Sequence, residues 1–328
     1  MDVDKQYRLL DVVKLLLSVM VIAFHTFPKL PSGSNAWYSG LGTLFSLRVP
    51  FFFMASGFLL FRKIVLPLDG EGELRIKRFL KKTIKLYLIW TIIYLPLSIF
   101  GFFQDGTPFL KAVMIFIRNV IVVGENFFSW PLWYLLGLVY AVSIIWMLLK
   151  LRIPKGTILV LSVVAAILGV VLDYCHENGM LEIITHPYYS VFVNTRNGFF
   201  FGFLYVALGL IYSASRRNSL AIEIICGVLG IIGMILNIPL ANAFAVYALF
   251  GFVLRPEGKM IKQEHAQFCR SLSTIVYLIH MYIVALLIFI FNVEYGFSLF
   301  VITALVSVIT GAVMLIKCNR IVDVIFKG

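Results

Sequence analysis

The chain has 328 residues, 61% hydrophobic and 13% charged, with a mean hydropathy of +0.97 and a formal net charge of +12. A soluble domain carries about 25% charged residues, so a chain this apolar cannot solvate its own surface, and the soluble globular classes are excluded. In a soluble protein the basic excess would point to nucleic acid; here its position along the chain gives it another meaning.

Apolar runs recur near residues 9–27, 42–61, 86–103, 132–149, 157–174, 194–213, 219–236, 238–254, 271–291 and 297–316. Each approaches the roughly 20 residues that a helix needs to cross a bilayer. Runs this continuous satisfy their backbone as helices, not as barrel strands. The sequence therefore predicts an all-α, polytopic membrane protein with about ten transmembrane helices.

The first run, "RLLDVVKLLLSVMVIAFHTF", places Arg8, Asp11, Lys14, Ser18 and His25 on one helical face. From Arg8 to His25 is about 25 Å of helix. Ionisable groups in a span normally face the protein interior or a wet cavity. Asp11 and Lys14, three residues apart, are placed to neutralise each other, whereas His25 falls at the outer end. The following "HTFPKLPSGS" offers no small-x-small cleavage site, so the run is expected to remain as a span.

The second run, "LRVPFFFMASGFLLF", carries Arg48 near the outer surface, Pro50 as an expected kink, and Ser56–Gly57 as a close-packing pair. A link over 62–85 follows, with Arg75, Arg78 and Lys81 in a strongly basic stretch. In the connection 104–131, "KAVMIFIRNVIVV" is too short to span and predicts an interfacial or re-entrant helix. Arg196 stands at the outer end of the sixth run. The linker "NIP" makes the seventh and eighth a tight hairpin. In the ninth, "SLSTIVYLIHMYI", Ser273, Tyr277 and His280 share a face, with His280 near mid-membrane. A structural histidine and a substrate contact are both open for it.

On this frame most basic residues fall on one side. They are Lys5, Arg8, the 62–85 cluster, Lys150, Arg152, Lys155, Arg216, Arg217, Arg255, Lys259, Lys262, Arg270, Lys317, Arg320 and Lys327. Lys29, Lys111 and Arg118 fall on the other. The positive-inside rule then places both termini in the cytoplasm. Cys175, Cys226, Cys269 and Cys318 are too scattered for a disulfide framework or a metal site, and none is expected.

These pieces together resemble acyltransferase family 3, the integral-membrane O-acyltransferases of cell-surface sugars. "RLLDVVKLLLSVMVIAFH" is similar to the family's first helix, "VPFFFMASGFLL" to its Ser-Gly-Phe helix, and "IKRFLKKTIKLYLIW" to its basic entry into the third span. "PLWYLLGLVY", "RNGFFFGFLYVALG" and "SLSTIVYLIHMYI" follow in the family's order.

The resemblance implies a single membrane domain over 1–328 that moves an acyl group from cytoplasmic acyl-CoA, as acetyl-CoA, to an extracytoplasmic hydroxyl. It implies no tightly bound cofactor. His25 matches the family's general base, with Asp11 and Lys14 beside it in the motif; Lys14 stands where arginine is usual. The basic motif falls on Arg78 and Lys81, or on Arg75 and Arg78. With Arg8, Arg48, Arg196 and His280, these are the expected donor and acceptor contacts. Expected partners are membrane lipid, acyl-CoA and a cell-surface or amino-acid acceptor, in a bacterial cytoplasmic membrane.

The chain is also similar to the membrane domain of vancomycin-resistance serine racemases, in which a cytoplasmic domain follows. That likeness implies an alternative, an L-serine uptake module linked to antibiotic resistance. In it Arg48, Arg196 and Asp11 would hold the amino acid.

Overall fold

A computed structural model describes residues 7–27, 42, 44–214, 219–255 and 261–326. Lys5, Lys29, Arg216, Arg217, Lys259 and Lys327, assigned sides above, lie outside the described residues. In chain order the helices are α1 (Arg8–Thr26), α2 (Arg48–Phe61), α3 (Gly70–Gln104), α4 (Phe109–Arg118) and α5 (Trp133–Lys150). Next come α6 (Lys155–Glu177), α7 (Glu182–Phe192), α8 (Phe203–Ala214), α9 (Leu220–Ile235), α10 (Ala241–Leu254), α11 (Gln263–Phe289), α12 (Phe297–Lys317) and α13 (Asn319–Ile325). Among the described residues there is no strand. Among the described residues six helices are long and apolar enough to cross a membrane, counting Trp130–Leu132 with α5, and four shorter apolar ones accompany them.

At the centre stands α2, nearly all of whose side chains are buried, with Phe51, Phe53 and Phe58 completely so. Lipid is as apolar as Leu, so helices in it are held by close van der Waals approach and not by exclusion of water. Here glycines provide that approach. A Cβ at Gly57 would lie 2.5 Å from the Val206 carbonyl oxygen, and one at Gly209 would lie 2.4 Å from that of Met54. The backbones of α2 and α8 therefore touch. Ser56 adds a hydroxyl contact to Tyr134, 2.8 Å away. The α9–α10 hairpin repeats the device, Gly230 seating directly on Ala245.

Two expectations change. Pro50 is the third residue of α2, in the first turn, where its missing N–H costs no helical bond, so it starts the helix instead of kinking it. Most of the expected 62–85 link is helix, because α3 begins as early as Gly70. Asp69 caps it by accepting from the Gly72 N–H at 2.7 Å, and Glu71–Arg75 and Glu73–Lys77 pairs run along its first turns. The short helix expected after residue 104 is α4, continued by a π-helical turn at Asn119–Val123.

A bidentate ion pair ties α1 to α11. Arg270 donates from Nε and Nη2 to the two oxygens of Asp11, at 2.9 and 2.7 Å. The pairing expected of Asp11 with Lys14 thus gives way to a fork that lysine cannot offer. Arg8 adds a bond to the Ile261 carbonyl at 2.7 Å.

Gly209→Ala is expected to lower stability by about 1–3 kcal/mol, because its Cβ meets backbone that cannot move aside. Gly70→Ala, with nothing within 4 Å, should be neutral; thermal unfolding in detergent compares them. Asp11→Ala should cost about 2 kcal/mol, less than a fully buried pair because Arg270 is half exposed. The Asp11→Ala, Arg270→Ala double variant should lose less than the sum of the singles.

Candidate active site

The α1–α11 contact brings two histidines together at the end of the bundle opposite the ion pair. The His25 and His280 rings lie 5.5 Å apart between centroids, tilted by 33°. His25 also stacks on Trp130, at 5.7 Å and 22°. Trp130 opens a short 3-10 turn whose Pro131 carbonyl accepts from the Tyr277 hydroxyl at 2.9 Å, so α11 positions both His280 and the platform under His25.

His280 is completely buried, and its Nδ1 lies 2.8 Å from the Tyr277 carbonyl oxygen. A carbonyl can only accept, so Nδ1 carries the hydrogen, and Nε2 holds the lone pair of the neutral ring. That Nε2 is buried with no hydrogen-bond partner among the described residues.

Two guanidinium groups lie near the pair. Arg48, the first residue of α2, is 6% exposed, donates to the Phe45 carbonyl, and lies over the Phe24 ring at 3.8 Å. Its Nε has no hydrogen-bond partner among the described residues. Arg196 lies over the Trp133 ring at 4.7 Å. It sits in an irregular stretch before a π-helical turn, Gly198–Gly202, not inside the expected sixth span. Asn197 starts that turn by accepting from the N–H groups of Phe199 and Phe200, at 2.9 and 3.2 Å. His25 lies within electrostatic range of Arg48, Arg196 and His280.

Beside Arg196 opens a cavity of about 610 Å³, lined among others by Glu125, Asp173, His176, Tyr189 and Thr195. The Asp173 carboxylate accepts from the hydroxyls of Tyr189 and Thr195. His176 stacks on Tyr189 at 3.7 Å. Glu125 is in the connection before Trp130. Burial pushes its carboxyl up to about 7, against the pull of the nearby Arg196 charge.

Of the residues singled out from sequence, the structure gathers His25, Arg48, Arg196 and His280, with Tyr277. It places Arg8, Asp11 and Lys14 at the other end of α1, about 17 Å or more away along the helix. Arg75, Arg78 and Lys81 stand on the N-terminal part of α3, Arg75 engaged by Glu71 at 2.6 Å. Ser18 donates to the Leu15 carbonyl of its own turn. Sequence reasoning missed Trp130, Glu125, Asp173 and the Asp11 partner Arg270. Only Glu125 left a signal, as the sole acidic residue between Asp105 and Asp173. Among the described residues no group of three or more His, Cys, Asp or Glu could hold a metal ion.

The chain is 25% identical over 300 residues to a serine/alanine racemase of Enterococcus gallinarum, covering 84% of this chain and 40% of that protein. It is 26% identical over 213 residues to an amino-acid racemase of Enterococcus faecalis, covering 63% of this chain and 29% of that protein. The chain thus aligns with well under half the length of these curated relatives. No solved structure matches it. The acyltransferase family 3 profile, described as "Acyltransferase domain", matches residues 7–317. This multi-pass helical membrane protein therefore belongs to acyltransferase family 3.

Proposed function

We propose that the chain is a membrane-embedded O-acyltransferase carrying an acyl group from cytoplasmic acyl-CoA to an extracytoplasmic hydroxyl, with His25 as general base. The observation that carries this reading is the His25–His280 ring pair, with Arg48 and Arg196 within electrostatic range of His25. His25 takes the proton of the acceptor hydroxyl as that oxygen attacks the thioester carbon. Arg48 or Arg196 stabilises the tetrahedral oxyanion. As the carbonyl re-forms, the thiolate of CoA leaves and recovers the proton from His25. The unpartnered His280 Nε2 accepts a hydrogen bond from a substrate hydroxyl, and the cavity beside Arg196 holds the rest of the acceptor.

The topology belongs to the same proposal. The six long and four shorter apolar helices make ten spans, both termini cytoplasmic, in a bacterial cytoplasmic membrane. One membrane domain spans the chain. Asp11 and Lys14 act through the α1–α11 register, and Arg8, Arg75, Arg78 and Lys81 face the donor side.

A second reading has its own support. The relatives are named as amino-acid racemases, and the outer cavity sets Arg196 opposite Glu125 and Asp173, as a zwitterion requires. Under it the chain takes up L-serine without acyl transfer.

Purified protein given acetyl-CoA and candidate acceptors is expected to release free CoA, and His25→Ala to reduce the rate by about 10²–10⁴-fold. Absence of release from wild type, with L-serine accumulating in proteoliposomes, would move the assignment to uptake. Glu125 generates a pH prediction. Its folded pKa, raised to about 7, stands above that of the unfolded chain, so the stability it contributes is present at low pH and falls between about pH 4.5 and 7. The difference in melting temperature, Glu125→Gln minus wild type, should therefore grow across that window and level off above it.

A further inference from the structure

A second cavity, of about 540 Å³, lies at the far end of α2 from Arg48, with Phe61, Arg62, Arg152 and Lys155 in its lining. A third concavity is a groove of about 580 Å³ that follows α3 beside Trp146 of α5. Along it Lys77, Lys81 and Lys85 recur every fourth residue, and Ile84, Leu88 and Ile92 repeat that spacing seven residues on. Seven residues make close to two turns, so both sets share one helical face. The face is basic at its N-terminal end and apolar beyond, over about 22 Å of helix. Lys81, Lys85, Ile84, Leu88 and Ile92 are all exposed on it.

The helix is longer than a membrane requires. About 20 residues cross the hydrocarbon core, and α3 has 35. Counted back from Gln104, that crossing length ends near Lys85. The lysines therefore stand at headgroup depth and Ile84, Leu88 and Ile92 at chain depth, the order of a phospholipid itself. Lysine stems cover apolar surface while their ammonium groups reach the phosphate layer. Glu73 holds Lys77 at 2.8 Å and Lys150 at 3.4 Å. Among the described residues no carboxylate pairs with Lys81 or Lys85. The Trp146 ring lies 5.7 Å from the Lys77 ammonium and 5.5 Å from that of Lys150. Its indole N–H is buried with no hydrogen-bond partner among the described residues. An indole N–H only donates, so the group it lacks is an acceptor, as phosphate and ester oxygens are.

We propose that the α3 groove binds one anionic phospholipid, its phosphate on Lys81 and Lys85 and one chain along Ile84, Leu88 and Ile92. An ester or phosphate oxygen accepts from the Trp146 N–H. Charge selects the headgroup: a zwitterionic lipid brings its own ammonium to the lysines, and an anionic one does not. The site asks nothing of the reaction and stands whether the chain transfers acyl groups or takes up serine.

Native mass spectrometry of the delipidated full chain in detergent, titrated with phosphatidylglycerol or phosphatidylcholine, tests the site. Phosphatidylglycerol should bind about tenfold more tightly or better, as two lysines beside an anionic headgroup provide. Lys81→Gln, Lys85→Gln should remove that preference, and Lys81→Arg, Lys85→Arg should keep it. Both positions are exposed, so neither pair of substitutions disturbs the bundle. Lys155→Gln, at the second cavity, should leave the preference unchanged. Leu88→Trp, which fills the chain end of the groove, should weaken both lipids. Equal binding of the two lipids by wild type, or a preference that survives the double glutamine variant, overturns the proposal. Full displacement of the lipid by glycerol 3-phosphate or by CoA would assign the lysines to a soluble phosphate ligand and overturn it as well.

Discussion

The register of α1 against α11 is the constraint on which the site depends. It is pinned at one end by the Asp11–Arg270 fork and at the other by the ring contact of His25 with His280. The two pairs rise in the same sense along both helices, so α1 and α11 run parallel. Along α1 the pairs are separated by about 21 Å, along α11 by about 15 Å. Arg270 has a long side chain and His280 a short one, and the reach of arginine absorbs much of the difference. A shift of α11 by one residue would rotate His280 by about 100° away from His25. The half-buried charge pair thus acts on the histidines at a distance, through helix register.

Around this pair the bundle is built for closeness more than for bulk. Gly57 and Gly209 let α2 and α8 meet at the backbone, which draws Phe51, Phe53 and Phe58 into a central aromatic block. Arg48 begins α2 and Phe61 ends it, one beside the histidines and the other in the wall of the second cavity. The same rigid helix therefore spaces the two ends of the molecule.

Much of this was legible in the sequence, for reasons that differ by residue. Span existence follows from continuous apolar runs, which lipid enforces. His25, Arg48, Arg196 and His280 stood out because an ionisable group in an apolar helix is costly and so conspicuous. Arg270 was hidden by the opposite circumstance. It lies in a basic segment where the expected topology accounts for any arginine, and its partner is 259 residues away. The N-terminal part of α3 was read as a link because its charge density masked helix signals that were present, the Asp69 cap and two i,i+4 pairs. Trp130 and Glu125 lie in a connection with no periodicity, where pattern carries no information and tertiary bonds such as Tyr277–Pro131 and Ser98–Phe127 fix the geometry.

The two cavities differ in a way that bears on the competing readings. The one beside Arg196 mixes a cation with carboxylates; among the described residues lining the one beside Lys155, the charged ones are Arg62, Arg152 and Lys155. An uptake route for one zwitterion should offer similar partners to the substrate at entry and at exit, because the same ammonium and carboxylate must be matched at both ends. An acyl transfer across a membrane has no such symmetry. Its donor presents phosphates on one side, its acceptor presents hydroxyls on the other, and the reacting carbon must travel far from the anchored phosphates. The length of α2 sets that span at about 20 Å, which favours a donor with a long flexible arm over a small free solute. The asymmetry of charge between the two ends is therefore a stronger argument for acyl transfer than either histidine taken alone.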